Sequence, residues 1–118
     1  TSARGRVAED LAIEFLQSRG LTLVERNVTL AGAELDVIMA TTQGEPTLVF
    51  VEVRSRASDQ QGHPVESVTA SKQAKVRRAA TAWLVAAGLW ERQAVRFDVV
   101  TLTGSLIDAS VDWYPDAF

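Results

Sequence analysis

The sequence predicts an α/β domain with a mixed central β-sheet flanked by helices, in the order α-β-β-β-α-β-β. Three observations predict it. Two stretches carry apolar residues at helical spacing, five others read as extended, and one extended run is apolar on both faces. In the first stretch, residues 5–19, Val7, Ala8, Leu11, Ala12 and Phe15 recur at three and four, and Gly20 is a natural stop. Two extended runs follow, Leu21–Thr29 and Glu34–Thr41, separated by Leu30-Ala31-Gly32-Ala33. Gln43-Gly44-Glu45-Pro46 makes a turn into Thr47–Arg54, where Leu48, Val49, Phe50, Val51 and Val53 predict a strand covered on both sides. Residues 55–68 are polar, hold Gly62 and Pro64, and read as a loop. Thr69 or Ser71 caps a second helix that runs to about Ala87 and ends at Gly88. Strands at about 94–103 and 106–113 form a hairpin around Gly104-Ser105. The passage from strand 47–54 through the helix to strand 94–103 suits a right-handed parallel crossover.

The 118 residues fit one domain spanning 1–118, and 47% apolar with 23% charged residues implies a buried core rather than disorder. The absence of cysteine removes disulfides, thiolate zinc sites and a Cys nucleophile, and is compatible with a cytoplasmic protein. No apolar run approaches the roughly 20 residues of a membrane helix. No signal peptide is recognisable, and a start at Thr1 without Met suggests a trimmed chain. Net charge is −3, yet residues 52–78 hold six of the twelve Lys/Arg (Arg54, Arg56, Lys72, Lys75, Arg77, Arg78) against Glu52, Asp59 and Glu66. Residues 79–118 hold only Arg92 and Arg96 against five acids. Basic charge gathered in this way marks either a phosphate-facing surface or a solvated helix face.

Alternate residues of a strand share a face, so Glu34, Asp36 and Ile38 are expected to point one way, and Phe50, Glu52 and Arg54 to share a face of the next strand. A hairpin symmetric about Gly44 places Asp36 opposite Glu52, with Cβ atoms about 5 Å apart. Two carboxylates that close repel unless positive charge lies between them, and a divalent cation with oxygen ligands supplies it. Glu52 interrupts Val49-Phe50-Val51-Glu52-Val53 where an apolar residue would serve, and a buried charge is costly without a partner. A structural salt bridge from Arg54 to Glu52 or Asp36 is the competing explanation.

These residues resemble a known signature: an acid near the start of one strand, then Glu-x-Lys near the end of the next, as in restriction-endonuclease-like nucleases. The chain resembles most closely the small bacterial YraN family of that superfamily, which is related to archaeal Holliday-junction resolvases. The resemblance covers nearly the whole chain. It is carried by Gly5, Glu9-Asp10-Leu11-Ala12, Glu25-Arg26-Asn27, Ala33-Glu34-Leu35-Asp36-Val37-Ile38 and Val49-Phe50-Val51-Glu52-Val53-Arg54-Ser55-Arg56. Further on it includes Val68-Thr69, Ser71-Lys72-Gln73, Arg96-Phe97-Asp98-Val99-Val100 and Ala117-Phe118. It implies a restriction-endonuclease-like fold and a metal-dependent endonuclease that hydrolyses DNA phosphodiester bonds, with branched or structured DNA suggested by the resolvases.

Asp36 and Glu52, with the backbone carbonyl of Val53, would then ligate Mg²⁺ or Mn²⁺, and Glu9 would be an accessory ligand. Arg54 would orient the attacking water or stabilise the phosphate. It stands where the superfamily usually has Lys, and a guanidinium keeps the charge but cannot act as a general base. Most of the family has no assigned biochemical role, so a catalytically weak or inactive nucleic-acid-binding accessory protein is the alternative. The resolvase resemblance also implies a homodimer, since two strands must be cut.

Glu9 sits at the edge of the first helix's apolar stripe, beside Gly5, Ala12 and Leu16, and reads either as a cleft residue or as an exposed Glu paired with Arg6. The helical wheel puts Lys72 and Gln73 in the inward stripe of Val76, Ala79, Ala80, Trp83, Leu84 and Ala87, at its N-terminal end. They would meet Glu52 and Arg54 there, Lys72 supplying the charge of the missing Lys and Gln73 holding Arg54, a ligand or a phosphate. Fraying into solvent is the alternative. Lys75 and Arg78 point outward and, with Arg56, Arg77 and Lys72, are candidates for nucleic-acid phosphates. His63, in a loop beside Pro64, reads as a surface residue, and Asp98 as the acceptor of a structural hydrogen bond. Trp83, Trp90, Trp113 and Phe118 read as packing residues, and no Ser-His-Asp arrangement is supported.

Overall fold

A computed structural model of the chain describes residues 2–58, 62 and 64–118. Helix α1 spans Ala3–Ser18 and begins earlier than the apolar spacing predicts, because Ser2 caps it: the Ser2 Oγ accepts from the Gly5 N–H at 2.9 Å. Strands β1 (Thr22–Leu30) and β2 (Ala33–Ala40) follow. They are joined by Ala31 and Gly32, both at positive φ (52° and 76°), as a two-residue turn matching the twist of antiparallel strands requires. Strand β3 covers Thr47–Arg56, two residues longer than expected. Within the expected loop, Pro64–Ser67 forms a 3₁₀ turn.

Helix α2 spans Ala70–Ala86, with Thr69 rather than Ser71 as its cap; the Thr69 Oγ1 accepts from Lys72 N–H at 3.2 Å. Removal of this cap by Thr69→Ala is expected to cost about 1 kcal/mol in a urea melt. Strand β4 is Ala94–Thr103 and β5 is Ser110–Tyr114. The expected start of the last strand at 106 is corrected. Residues 104–109 form a connection, with Asp108 N–H bonded to the Ser105 carbonyl at 3.0 Å and Ile107 almost fully exposed. An apolar residue there satisfied a strand pattern without having a sheet face to cover.

The sheet order is β1-β2-β3-β4-β5, with β3 and β4 parallel and the other pairs antiparallel. The parallel pair is connected through α2, as the sequence predicts. Ala8, Ala12, Ile13 and Leu16 of α1 pack on Val37, Met39, Val49, Val51, Val100 and Leu102. Val76, Ala79, Ala80 and Leu84 of α2 pack on the opposite face, against Ile38, Leu48, Phe50 and Phe97. The helices thus cover β3 from both sides, which explains its unbroken apolar run up to Glu52.

One expectation about β2 fails. Leu35 and Ile38 both lie in the core under α2, although they are three residues apart. Alternation is therefore broken between them, and Ile38 does not share the face of Glu34 and Asp36. Opposite this step stands Asn27, at φ 56°, between the pairs Arg26–Val37 and Val28–Leu35. A local irregularity of this kind re-aims a side chain, as bulges do.

Asp98 performs the structural role that its strand context predicts. It is fully buried and accepts from Arg96 Nε (2.9 Å) and Nη2 (3.0 Å), Trp113 Nε1 (2.8 Å) and the Asp116 N–H (2.9 Å). One carboxylate thereby ties β4, β5 and the segment after β5 together. Asp98→Ala is expected to lower stability by about 3 kcal/mol in equilibrium unfolding, since it leaves several donors without their acceptor.

Trp83 packs edge-on against Phe50 at 6.1 Å, Trp113 against Phe15 at 6.4 Å, and Phe118 stacks on Phe97 at 5.3 Å. Trp90 departs from the packing expectation: it lies after α2 and is 47% exposed.

Candidate functional site

The β2–β3 ladder runs Ala40–Leu48, Met39–Val49, Ile38–Phe50 and Val37–Val51, the register that brings Asp36 level with Glu52. There it stops. The Val53 N–H, one position further along β3, is bonded at 3.0 Å to the Asp36 Oδ2 instead of to β2 backbone. The strands fork at Asp36, and the fork opens into a cleft of about 250 Å³ lined by Gly5, Ala8, Glu9, Glu34, Asp36, Glu52, Val53, Arg54, Ser55 and Lys72. The N-terminal turns of α1 and α2 both reach it, because each helix starts at this end of the sheet.

Glu52 is 1% exposed. Its Oε1 lies 3.6 Å from both Arg54 Nη2 and Lys72 Nζ and accepts no hydrogen bond from the described residues. The ion pair with Arg54 anticipated as the structural alternative therefore exists. It is longer than the 2.7–2.9 Å typical of a charge-assisted hydrogen bond. Burial pushes the Glu52 carboxyl up to about 8, the neighbouring Asp36 charge and hydrogen bond push the same way, and Lys72 and Arg54 pull back.

Glu9 is buried rather than exposed, and its partner is Arg26, not Arg6: Arg26 Nη2 is 3.3 Å from the Glu9 Oε1. Arg26 is shared with Asp10, at 2.6 Å. Burial raises the Glu9 carboxyl above its ordinary value; the Arg26 hydrogen bond opposes this and the Asp36 charge adds to it. One carboxylate oxygen from each of Glu9, Glu34 and Asp36 lies within 4.8 Å of the others.

The chain matches the family model described as "Uncharacterised protein family UPF0102" over residues 8–102. The chain belongs to UPF0102, the YraN family. It is 41% identical to a UPF0102 protein of Stutzerimonas stutzeri over 118 residues, covering 100% of this chain and 96% of the relative. It is 44% identical to one of Serratia proteamaculans over 108 residues (91% and 86%) and 43% identical to one of Hahella chejuensis over 115 residues (97% and 88%). The matched stretch of this UPF0102 chain contains every cleft residue except Gly5.

The other residues singled out in the sequence fall in several places. Lys72 reaches Glu52, as the helical wheel implies. Gln73 donates its Nε2 to the Val68 carbonyl at 2.9 Å, so it secures the entry to α2. Arg56 donates to the Gly62 carbonyl (2.7 Å) and to Thr103 Oγ1 (3.2 Å). Arg77 is held at the Phe118 carbonyl and over the Phe97 ring, 4.9 Å from its centroid, beside an apolar groove away from the cleft. Arg78 donates to the Ala31 carbonyl at 3.3 Å, and Lys75 is exposed. Of these cations, Lys72 alone joins Arg54 in lining the cleft. His63 and Asp59 lie outside the described residues.

Two cleft contributors escape the sequence reading. Glu34 had a signal, since it is two residues from Asp36 and shares its face. Arg26 stood only within the Glu25-Arg26-Asn27 stretch of the resemblance, with no sign of its partner, because its contact with Glu9 depends on how α1 lies across β1. Among the described residues, no helix is long and apolar enough to cross a membrane.

Proposed function

We propose that this UPF0102 protein is a Mg²⁺- or Mn²⁺-dependent phosphodiester hydrolase acting on nucleic acid, with DNA the expected substrate. The observation that carries the reading is the Glu52 carboxylate: buried, raised in pKa, with an Oε1 lacking a hydrogen bond, beside Asp36 in an open cleft. A purely structural carboxylate at that depth would be expected to have its acceptors filled. An all-oxygen donor set fits a hard divalent cation. Asp36 and Glu52 would hold it. The Val53 carbonyl would join them, since in an extended strand a residue's N–H and C=O point to the same edge and the Val53 N–H points at Asp36. The cation would supply charge stabilisation at the phosphate and a more acidic water.

The chain's own residues divide the remaining work. Arg54 clamps a phosphate oxygen and stays protonated throughout, so it takes no proton. Lys72 brings a second positive charge to the same carboxylate and, once Glu52 engages a cation, is available to the phosphate. Asp36 keeps its orientation through the Val53 N–H. Arg26 holds Glu9 and keeps its charge tolerable in the buried cleft.

The test is incubation of the purified chain with plasmid, single-stranded and four-way-junction DNA in Mg²⁺, Mn²⁺ or EDTA. Chelator-sensitive cutting is the expected result, and absence of cutting with any substrate or metal overturns the catalytic reading. Arg54, in place of the superfamily's Lys, favours one second reading: an accessory protein that binds nucleic acid without efficient cleavage. Salt-sensitive binding without cutting would establish it.

A further inference from the structure

We propose that Thr101 is the positioning residue for Arg54: its Oγ1 accepts the Arg54 Nε–H when the guanidinium clamps phosphate, and so aims the two terminal nitrogens into the cleft. The inference rests on the hydrolase reading above and adds to it a residue outside the cleft lining.

The ladder brings the two side chains together. Strands β3 and β4 run parallel, with Arg54 level with Thr101. Phe50 of β3 and Phe97 of β4 are also level, and both pack under α2. Counting by twos from them reaches Glu52 and Arg54 on β3, and Val99 and Thr101 on β4, all on that face. Val49 and Val51, like Val100 and Leu102, pack on the α1 side, as the alternation requires. Neighbouring strands lie about 5 Å apart, so the hydroxyl stands beside the Arg54 stem.

Both partners are unsatisfied. Among the described residues, three buried side-chain polar atoms make no hydrogen bond: Glu52 Oε1, Arg54 Nε and Thr101 Oγ1. All three belong to this face of β3 and β4. Thr101 is fully buried, and valine would fill the same space without a hydroxyl to satisfy. A bare guanidinium N–H and a bare hydroxyl on adjacent strands are a donor and an acceptor that a small rotation of Arg54 joins. Hydrogen bonds of a reactive site are often open without substrate and tighten when it binds.

The next rung of the same ladder has this contact closed. Arg56 is level with Thr103, two residues further along the same face, and its Nε donates to the Thr103 Oγ1 at 3.2 Å. The rungs carry the same pair of residue types in the same register. They differ at the head of the guanidinium. Arg56 Nη1 donates to the Gly62 carbonyl at 2.7 Å, whereas Arg54 Nη2 lies 3.6 Å from Glu52 Oε1. A phosphate oxygen at Arg54 would correspond to the Gly62 carbonyl at Arg56. A lysine at 54 would carry no donor between stem and head, so the anchor is specific to arginine. With Nε seated on β4, phosphate binding has less side-chain freedom to restrict.

A double-mutant cycle of Thr101→Val and Arg54→Lys tests this, with initial rates on a labelled duplex and junction in Mn²⁺, DNA affinity by fluorescence anisotropy, and urea melts in EDTA. Thr101→Val is expected to lower the rate about three- to tenfold, the size of one hydrogen bond. Thr101→Ser, which keeps the hydroxyl, should stay within about twofold of wild type. In the Arg54→Lys background, Thr101→Val should change the rate by less than about twofold. The melts separate this from a folding defect. The Thr101→Val midpoint should equal or exceed that of wild type, because the hydroxyl removed is unpaired in the free protein. A loss of the same size in both backgrounds, no loss in either, or a lowered midpoint overturns the role of Thr101 and leaves the hydrolase reading standing. Where wild type binds DNA without cutting it, the hydrolase reading falls and the same cycle on affinity decides the Thr101–Arg54 contact. A wild type that neither cuts nor binds DNA overturns both.

Discussion

Asp36→Asn and Glu52→Gln are each expected to reduce Mg²⁺- or Mn²⁺-dependent DNA cleavage by about 10³-fold or more, equivalent to about 4 kcal/mol of transition-state stabilisation. Both substitutions preserve shape and remove charge. In the Asp36→Asn variant the new amide oxygen can still accept from the Val53 N–H, so the fork between β2 and β3 should survive. The loss would then report the charge, not the fold. Lys72→Ala should weaken cleavage less than either carboxylate change, because Arg54 still supplies positive charge at Glu52. Arg54→Lys should leave cleavage within about tenfold if Arg54 only clamps phosphate. Initial rates on a labelled duplex or junction, across a Mn²⁺ series, measure all four. Equal cleavage by wild type and Asp36→Asn would remove the carboxylate pair from the chemistry.

Glu52→Gln should also stabilise the metal-free protein at alkaline pH. The direction follows from proton binding. Folded Glu52 holds its proton up to about 8, against an ordinary value near 4.5, because it is buried beside Asp36. The folded state thus binds more protons than the unfolded chain between those two values. Its advantage is complete below about pH 4.5 and is lost progressively as pH rises to about 8. The loss is on the order of a few kcal/mol.

Denaturant melts in EDTA should therefore show stability falling from pH 5 to 8.5 in wild type. Glu52→Gln should flatten most of that slope and be the more stable protein at pH 8. Glu9, raised in the same direction, leaves a residual slope in the variant. Mn²⁺ should restore wild-type stability more at pH 8 than at pH 6, where the proton competes with it for the carboxylate. A wild-type curve flat from pH 5 to 8.5 would sink this account of Glu52.

The acidic pair was legible because it depends on local rules. Gly44 centres the hairpin between β2 and β3, and period-two alternation then brings Asp36 level with Glu52. Glu52 also announced itself by breaking an apolar run. Lys72 was legible from the helical wheel, once the parallel crossover set α2 against the sheet. The basic residues were not. Charge clustering along the chain suggested one surface, but Arg56, Arg77 and Arg78 are each engaged by backbone carbonyls in different parts of the fold. A guanidinium's partner is chosen by whatever carbonyl its long side chain reaches, and sequence spacing carries no such information.

By itself, the sequence determined the order of elements, the parallel crossover, the β2–β3 register and the two carboxylates at its end, since hydrophobic period, turn residues and caps act over a few neighbouring positions. Only the tertiary structure decided which way those carboxylates face and what else meets them. The broken alternation beside Asn27 keeps Ile38 off the face that Asp36 shares with Glu34, and the lie of α1 brings Glu9 to Glu34 and Arg26 to Glu9. Those contacts join residues from separate elements, and their energies are settled by burial and by charge across the packed interface, quantities that exist only once the layers have come together.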